Sequence, residues 1–330
     1  MPQLSLLSVL GISVVVVAVG GALAVGTLQA ADNERSCDIP IASGKASSLV
    51  SVTTAESGLP EVSFPTPLVT QSRQLTVLTE GEGEPAREGG YVDFDVSVFV
   101  GLDEMYLTGS SYNPTNPVRR PVSSELPDFF GQVLECQKPG AQIAVTAALS
   151  DIFGEVEEDN YLQNSSTVVV VLDVRDTYPG QATGAARLPQ SGLPTITQAP
   201  TGEHGFGFPN APIPDELRVS VLKMGSGEAV SDGDLITAHF TGAVWNTRSI
   251  FVSSFDQGVP MGILVEDQTV SATGQGVVPG LAQALIGQTV GSQVLVSVPP
   301  SLGYQPGTQP PGVSENSTLV FVFDILGVNK

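Results

Sequence analysis

Apolar residues recur along the chain in short runs bounded by Gly, Pro, Asp and Ser, the pattern of strands joined by tight turns. In the last third, Arg218–Leu222, Leu235–Val244, Gln293–Val298 and Thr318–Val328 are such runs. One stretch departs from it. Pro279 stands at a first helical position, Leu281, Ala284 and Leu285 share a face at i, i+3 and i+4, and Gly287 closes the end, which predicts a short helix. The same pattern occurs earlier in the chain. Val77-Leu78, Gly81, Gly83-Glu84 and Gly89 match Val221-Leu222, Gly225, Gly227-Glu228 and Gly233 at an offset of 144. Further on the offset is 151: Leu134, Gly140, Gln142, Ser166-Thr167 and Asp173 match Leu285, Gly291, Gln293, Ser317-Thr318 and Asp324. Two copies of one α+β domain are expected, each an antiparallel sheet wrapped on one short helix.

The hydrophobic pattern breaks in three places. Residues 1–31 carry no charge and are almost wholly apolar from Leu4 to Leu28, as in a signal peptide or membrane anchor. Ala22-Leu23-Ala24 and Ala24-Val25-Gly26 have the small residues a signal peptidase needs. Residues 32–71 are polar and predict a tether, and 179–212, rich in Gly, Pro, Ser, Thr and Gln, a linker. The copies then occupy 72–178 and 213–330.

Composition narrows the function. The chain has 330 residues, 34 of them acidic and 13 basic, for a net charge of −21, and no basic patch, so nucleic acid is not an expected partner. Membrane contact is expected only through the N-terminal segment, and the protein as a monomer. Charged residues are only 14% of the chain while Gly numbers 36 and Pro 25, as in a turn-rich β protein. The two cysteines, Cys37 and Cys136, both follow the apolar leader, and one disulfide is the reading that an exported location favours, with two buried thiols as the alternative. The histidines are His204 and His239, too few to build a zinc site with these cysteines, and no cofactor or metal is expected. Ser253-Ser254 lacks a His and acid at readable spacing, so acyl transfer is not expected.

The second copy carries, in order, His239-Phe240-Thr241-Gly242, Phe251-Val252-Ser253-Ser254, Pro260-Met261, Val277-Val278-Pro279-Gly280-Leu281, Val290-Gly291-Ser292, Val298-Pro299-Pro300 with Tyr304, and Ser317-Thr318-Leu319-Val320-Phe321. No one piece is specific, but their order and spacing over about 110 residues resemble the FKBP-type peptidyl-prolyl isomerase family. The resemblance implies a shallow apolar pocket for a proline ring. Its walls would be Phe240, Phe251, Met261 and Phe321, its floor Leu281, and its rim Val277, Val278, Tyr304 and Val313. Tyr304, Phe251 and the Val278 backbone N–H would act on the substrate. Proline-containing polypeptides would be the substrates, macrolides further ligands, and exported proteins the clients.

The departures are specific. Val252 stands where the family usually has Asp, Leu281 where it has a floor Trp, and Phe240 where it has a Tyr. A longer stretch, Val265 to Gly276, precedes Val277. The first copy is poorer: Val96 stands opposite Phe240, Phe130 opposite Leu281 and Phe153 opposite Tyr304, with the acidic run Glu155–Asp159 in the loop that should cover the pocket. It reads as a degenerate, non-catalytic copy. Taken singly, Phe240, Phe251 and Phe321 are ordinary core residues of strands. A peptide-binding protein without catalysis is the alternative that Val252 favours, and a structural array of β domains a more distant one.

Overall fold

The computed structural model describes Cys37 and residues 41–329, apart from 56–58, 114–115, 124–128, 158–160 and 273. The candidate leader and part of the acidic run, Glu158 and Asp159, lie outside the described residues. Contacts divide the chain into Met1–Ile39 and Pro40–Lys330. Both cysteines are disulfide-bonded. Among the described residues no helix is long and apolar enough to cross a membrane.

In the second unit the chain opens with a hairpin, β1 (Ser51–Thr54) and β2 (Pro60–Ser63). It continues through β3 (Gln74–Thr79), β4 (Tyr91–Val100), β5 (Tyr106–Gly109), β6 (Val118–Pro121), the helix α1 (Phe129–Leu134), β7 (Gln142–Ala148), the short helix α2 (Leu149–Phe153) and β8 (Thr167–Tyr178). Then come β9 (Ala185–Ala186), a second hairpin of β10 (Thr195–Gln198) and β11 (His204–Gly207), β12 (Arg218–Met224), β13 (Leu235–Val244), β14 (Ser249–Ser253) and β15 (Met261–Leu264). The helix α3 (Pro279–Leu285), β16 (Gln293–Val298) and β17 (Leu319–Asn329) complete it.

Two antiparallel sheets result. The first runs β3-β7-β8-β4-β5, with β6 also on β4; the second runs β12-β16-β17-β13-β14, with β15 also on β13 and β9 on the outer edge of β12. The strand orders are the same, and so are the irregularities. Register shifts fall between Asp93 and Phe94 in the first sheet and between Thr237 and Ala238 in the second, and again at Val98/Phe99 and Gly242/Ala243. A bulge bends and twists its strand, so recurrence at the same offset gives the two sheets the same curvature.

The helices lie on the inner faces. Val133 and Leu134 of α1 pack with Phe94, Ile143, Val170 and Leu172, and Leu281, Ala284 and Leu285 of α3 pack with Val294, Val296, Phe321 and Phe323. The outer faces are covered as well, by segments expected to be a tether and a linker. Ala46, Val50, Phe64 and Leu68 close over Ala144, Val169 and Val171. In the second half Leu193, Ile196, Phe206 and Phe208 close over Trp245, Leu295, Val320 and Val322. The hairpins correspond too, since Ser51 pairs with Ser63 and Thr195 with Gly207, both at the offset of 144. The described parts of 32–71 and 179–212 are therefore built into the fold. Val168 to Val171 and Leu319 to Phe323 are apolar at every position, and a strand with apolar side chains on both sides needs a cover on both.

Candidate functional site

The long strands β13 and β17 pair from Leu235–Asn329 to Val244–Leu319, which sets Phe240 opposite Phe323 and Gly242 opposite Phe321. Residues two apart share a sheet face, so Phe321 and Phe323 both point inward, 5.8 Å apart and nearly parallel. Phe240 stacks on Phe323 at 5.6 Å, and Phe251 meets Phe321 edge to face at 5.6 Å. Gly242 makes room for this: a Cβ there would come within 2.6 Å of the Phe321 ring. Ser254 fixes the strand carrying Phe251, its Oγ accepting from the Phe240 N–H at 2.9 Å and sitting 2.8 Å from His239 Nδ1.

The aromatic rings line a cavity of about 400 Å³. Leu281, Val277, Val278 and Tyr304 line it as well. Val278 caps α3, where Pro279 occupies the first turn and the initial N–H groups of the helix have no partner within it. The Val278 N–H finds no acceptor among the described residues. The turn into Val277 requires Gly276: its φ is +118°, and a Cβ would sit 2.2 Å from the Glu266 carbonyl oxygen. The phenol of Tyr304 makes no hydrogen bond to the described residues, and burial pushes its pKa up, so it stays a proton donor through neutral and mildly alkaline pH. Among the described residues no charged side chain lines the cavity.

Seven of the nine side chains expected around a proline thus meet at one cavity: Phe240, Phe251, Phe321, Leu281, Val277, Val278 and Tyr304. Two do not. Met261 opens β15 at its exposed end, 41% accessible, and Ile263, two residues along on the same face, lines the cavity instead. Val313 packs against the core, and the lip is made by Pro310 and Pro311. Phe323, Gln268 and Gly276 are further lining residues that the motifs did not mark. Phe323 was legible from its i, i+2 relation to Phe321. Gln268 sits in the longer loop before Val277, for which the resemblance offered no counterpart. Val252 lines the cavity, so the missing carboxylate is missing from the site itself, and Asp256, three residues after Ser253, is exposed and does not replace it.

The first half has an equivalent place, and its described residues pack differently there. Phe130, at the position of Leu281, packs 5.5 Å from Phe94, and Val96, Leu107, Val156 and Leu162 pack onto the same core. Phe153, at the position of Tyr304, is turned out to 44% exposure.

The histidines lie behind the cavity wall. His239 Nε2 is 3.0 Å from the Tyr91 hydroxyl, its ring stacks on Phe255 at 4.2 Å, and burial lowers its pKa to about 4. His204, expected in a linker, is buried on β11 beside Asp324. Among the described residues no cluster could hold a metal ion.

The model of the family described as FKBP-type peptidyl-prolyl cis-trans isomerase matches residues 226–326. The chain is 34% identical over 97 residues to "Peptidyl-prolyl cis-trans isomerase FKBP15-1" of Arabidopsis thaliana, a match covering 29% of this chain and 58% of that protein. It is 33% identical over 98 residues to "FK506-binding protein 1A" of Aspergillus fumigatus, covering 30% of this chain and 80% of that protein. To "FKBP-type peptidyl-prolyl cis-trans isomerase FkpA" of Escherichia coli K12 it is 30% identical over 112 residues, covering 34% and 37%. With residues 226–326 matched by the family's model and 80% of the Aspergillus fumigatus relative covered at 33% identity, this chain belongs to the FKBP-type peptidyl-prolyl cis-trans isomerase family.

Proposed function

We propose that the protein is a peptidyl-prolyl cis-trans isomerase whose activity resides in residues 213–330 and whose substrates are proline-containing segments of exported proteins. The observation that carries the reading is an uncharged cavity of about 400 Å³ with two uncommitted donors, the Val278 N–H and the Tyr304 hydroxyl, in its lining. Rotation about an X-Pro bond breaks no covalent bond, but the lost amide resonance sets a barrier of ~18–20 kcal/mol. The twisted amide is less dipolar than the planar one, so a water-poor apolar cavity favours it. Phe240, Phe251 and Phe321 would grip the proline ring while the two donors hold carbonyl oxygens on either side, and contacts made better in the twisted form speed the reaction. No general base or metal takes part.

Export is proposed from the apolar leader of residues 1–31 together with the disulfide-bonded cysteines. The first copy, with Phe130 at the position of Leu281, is proposed to be non-catalytic. Macrolides that present a proline-like ring would compete for the cavity of the second copy.

Val252 favours a second reading, a protein that binds X-Pro segments without turning them over. NMR exchange spectroscopy on an X-Pro peptide with catalytic amounts of the full chain separates the two. Isomerase activity raises the cis/trans exchange rate well above the uncatalysed one, which is tens of seconds. Saturable peptide binding with unchanged exchange would replace the first reading with the second.

A further inference from the structure

A second depression, of about 630 Å³, adjoins the proline cavity and shares Gln268 and Tyr304 with it. Its other walls are Thr269 and Gly274 of the long loop before Val277, and Gln305 and Thr308 of the loop after Tyr304. Among the described lining residues every side chain is polar and none is charged. The amides of Gln268 and Gln305 make no hydrogen bond to the described residues, and each offers a donor and an acceptor. The Thr269 hydroxyl donates to Asp267 Oδ1 at 2.7 Å and the Thr308 hydroxyl to the Gln305 carbonyl oxygen at 2.9 Å, which leaves both hydroxyl oxygens able to accept.

Three contacts hold the described ends of the loop that carries Gln268 and Thr269. Asp267 bridges to Val277, the Val277 N–H donates to the Glu266 carbonyl oxygen at 2.9 Å, and the Ser271 hydroxyl donates to Glu266 Oε2 at 3.0 Å.

We propose that this depression is a selectivity subsite that takes a neutral polar side chain, of Gln, Asn, Ser or Thr, beside the substrate proline. The inference rests on the isomerase reading above and deepens it. A hydrogen-bonding side chain satisfies the two amides and two hydroxyl oxygens. An aliphatic one displaces their water and leaves them unpaired, which is how polar sites reject apolar analogues. A charged one, acidic or basic, gives up more hydration than these neutral groups return.

The test is a set of peptides with Gln, Asn, Thr, Leu, Lys or Glu on either side of one proline, followed by NMR with the full chain for both affinity and exchange. Gln, Asn and Thr peptides are expected to exceed the Leu peptide in kcat/KM by roughly three- to tenfold at one of the two positions. Gln305→Leu with Thr308→Val, both exposed, is expected to bring that ratio to about one while Leu-Pro turnover stays within about twofold. A preference for Leu, Lys or Glu, or a polar preference unchanged in the variant, overturns the subsite and leaves the isomerase reading standing. If no peptide is turned over, the isomerase reading falls, and affinities decide the subsite: polar over Leu upholds it, and no difference overturns it.

Discussion

At Val252 a side chain of a different class stands in the cavity wall, and the consequence can be measured. A carboxylate there would face the twisted amide, so Val252→Asp should raise the exchange rate several-fold at neutral pH. The surrounding phenylalanines disfavour the ionised form and lift its pKa, so the gain should fade as pH drops and the carboxyl takes up its proton. A rate unchanged between acid and neutral pH would show that the carboxylate does not reach the amide. Tyr304 has the opposite sign. Tyr304→Phe should lower kcat/KM by roughly three- to tenfold, the worth of one hydrogen bond. Because burial raises the Tyr304 pKa, wild-type activity should hold level past the ordinary phenol range before it falls. At this scale most of the site was legible. Phe240, Phe251, Leu281 and Tyr304 lie in ordered motifs, whereas Ile263, Gln268 and the Pro310-Pro311 lip depend on where loops and strand ends come to rest.

The hairpins are the elements the sequence concealed. Low hydrophobic periodicity made 32–71 and 179–212 read as connectors, yet Val52 and Val62, and Ile196 and Phe206, sit on short strands and, with Phe64 and Phe208 just past the strand ends, join the buried clusters. The signal was in their partners: Val168–Val171 and Leu319–Phe323 are apolar on both faces, and a sheet with one free face would not be. Phe206→Ala with Phe208→Ala should cost about 3 kcal/mol, since both rings are only partly buried. Chemical denaturation of the full chain measures it. A fragment of 213–330 should melt well below one beginning at residue 183, because it bares Trp245, Val320 and Val322. Equal melting temperatures would show that the hairpin contributes no stability. The two sheets, one short helix in each half and their repeat were legible because turn glycines and apolar faces recur at fixed offsets, whereas α2 and the bulges were not foreseen.

Within the second unit the halves are tied by a polar contact that neither motif set foretold. Arg119 on β6 grips the buried Asp93 with two nitrogens and reaches Thr237 Oγ1 and the Pro260 carbonyl oxygen, both at 2.9 Å, while its guanidinium lies 5.0 Å over the Tyr178 ring. Tyr178 in turn donates to Asn329 Oδ1 at 3.0 Å. Removing the cation strands a buried carboxylate, so Arg119→Ala should cost about 3–5 kcal/mol and uncouple the unfolding of the two halves. A single, unshifted transition would contradict this. His239 lies in the same seam. Its folded pKa, about 4, is below the unfolded value of 6.5, so its contribution is fully present above 6.5 and is lost as pH falls towards 4. That loss is roughly 3 kcal/mol, and His239→Asn should flatten the difference between denaturation midpoints at pH 7 and pH 4.5.

The X-Pro bond is proposed to turn in the cavity lined by Phe251 and Tyr304. The most direct measurement is NMR exchange on an X-Pro peptide with the full chain, with Phe251→Ala and with Tyr304→Phe, each first shown to be folded by its amide spectrum. Acceleration by the wild type is expected, with a strong loss when the Phe251 ring is removed and a smaller loss without the Tyr304 hydroxyl. Acceleration that survives both substitutions in folded protein would place the reaction elsewhere and contradict the proposal.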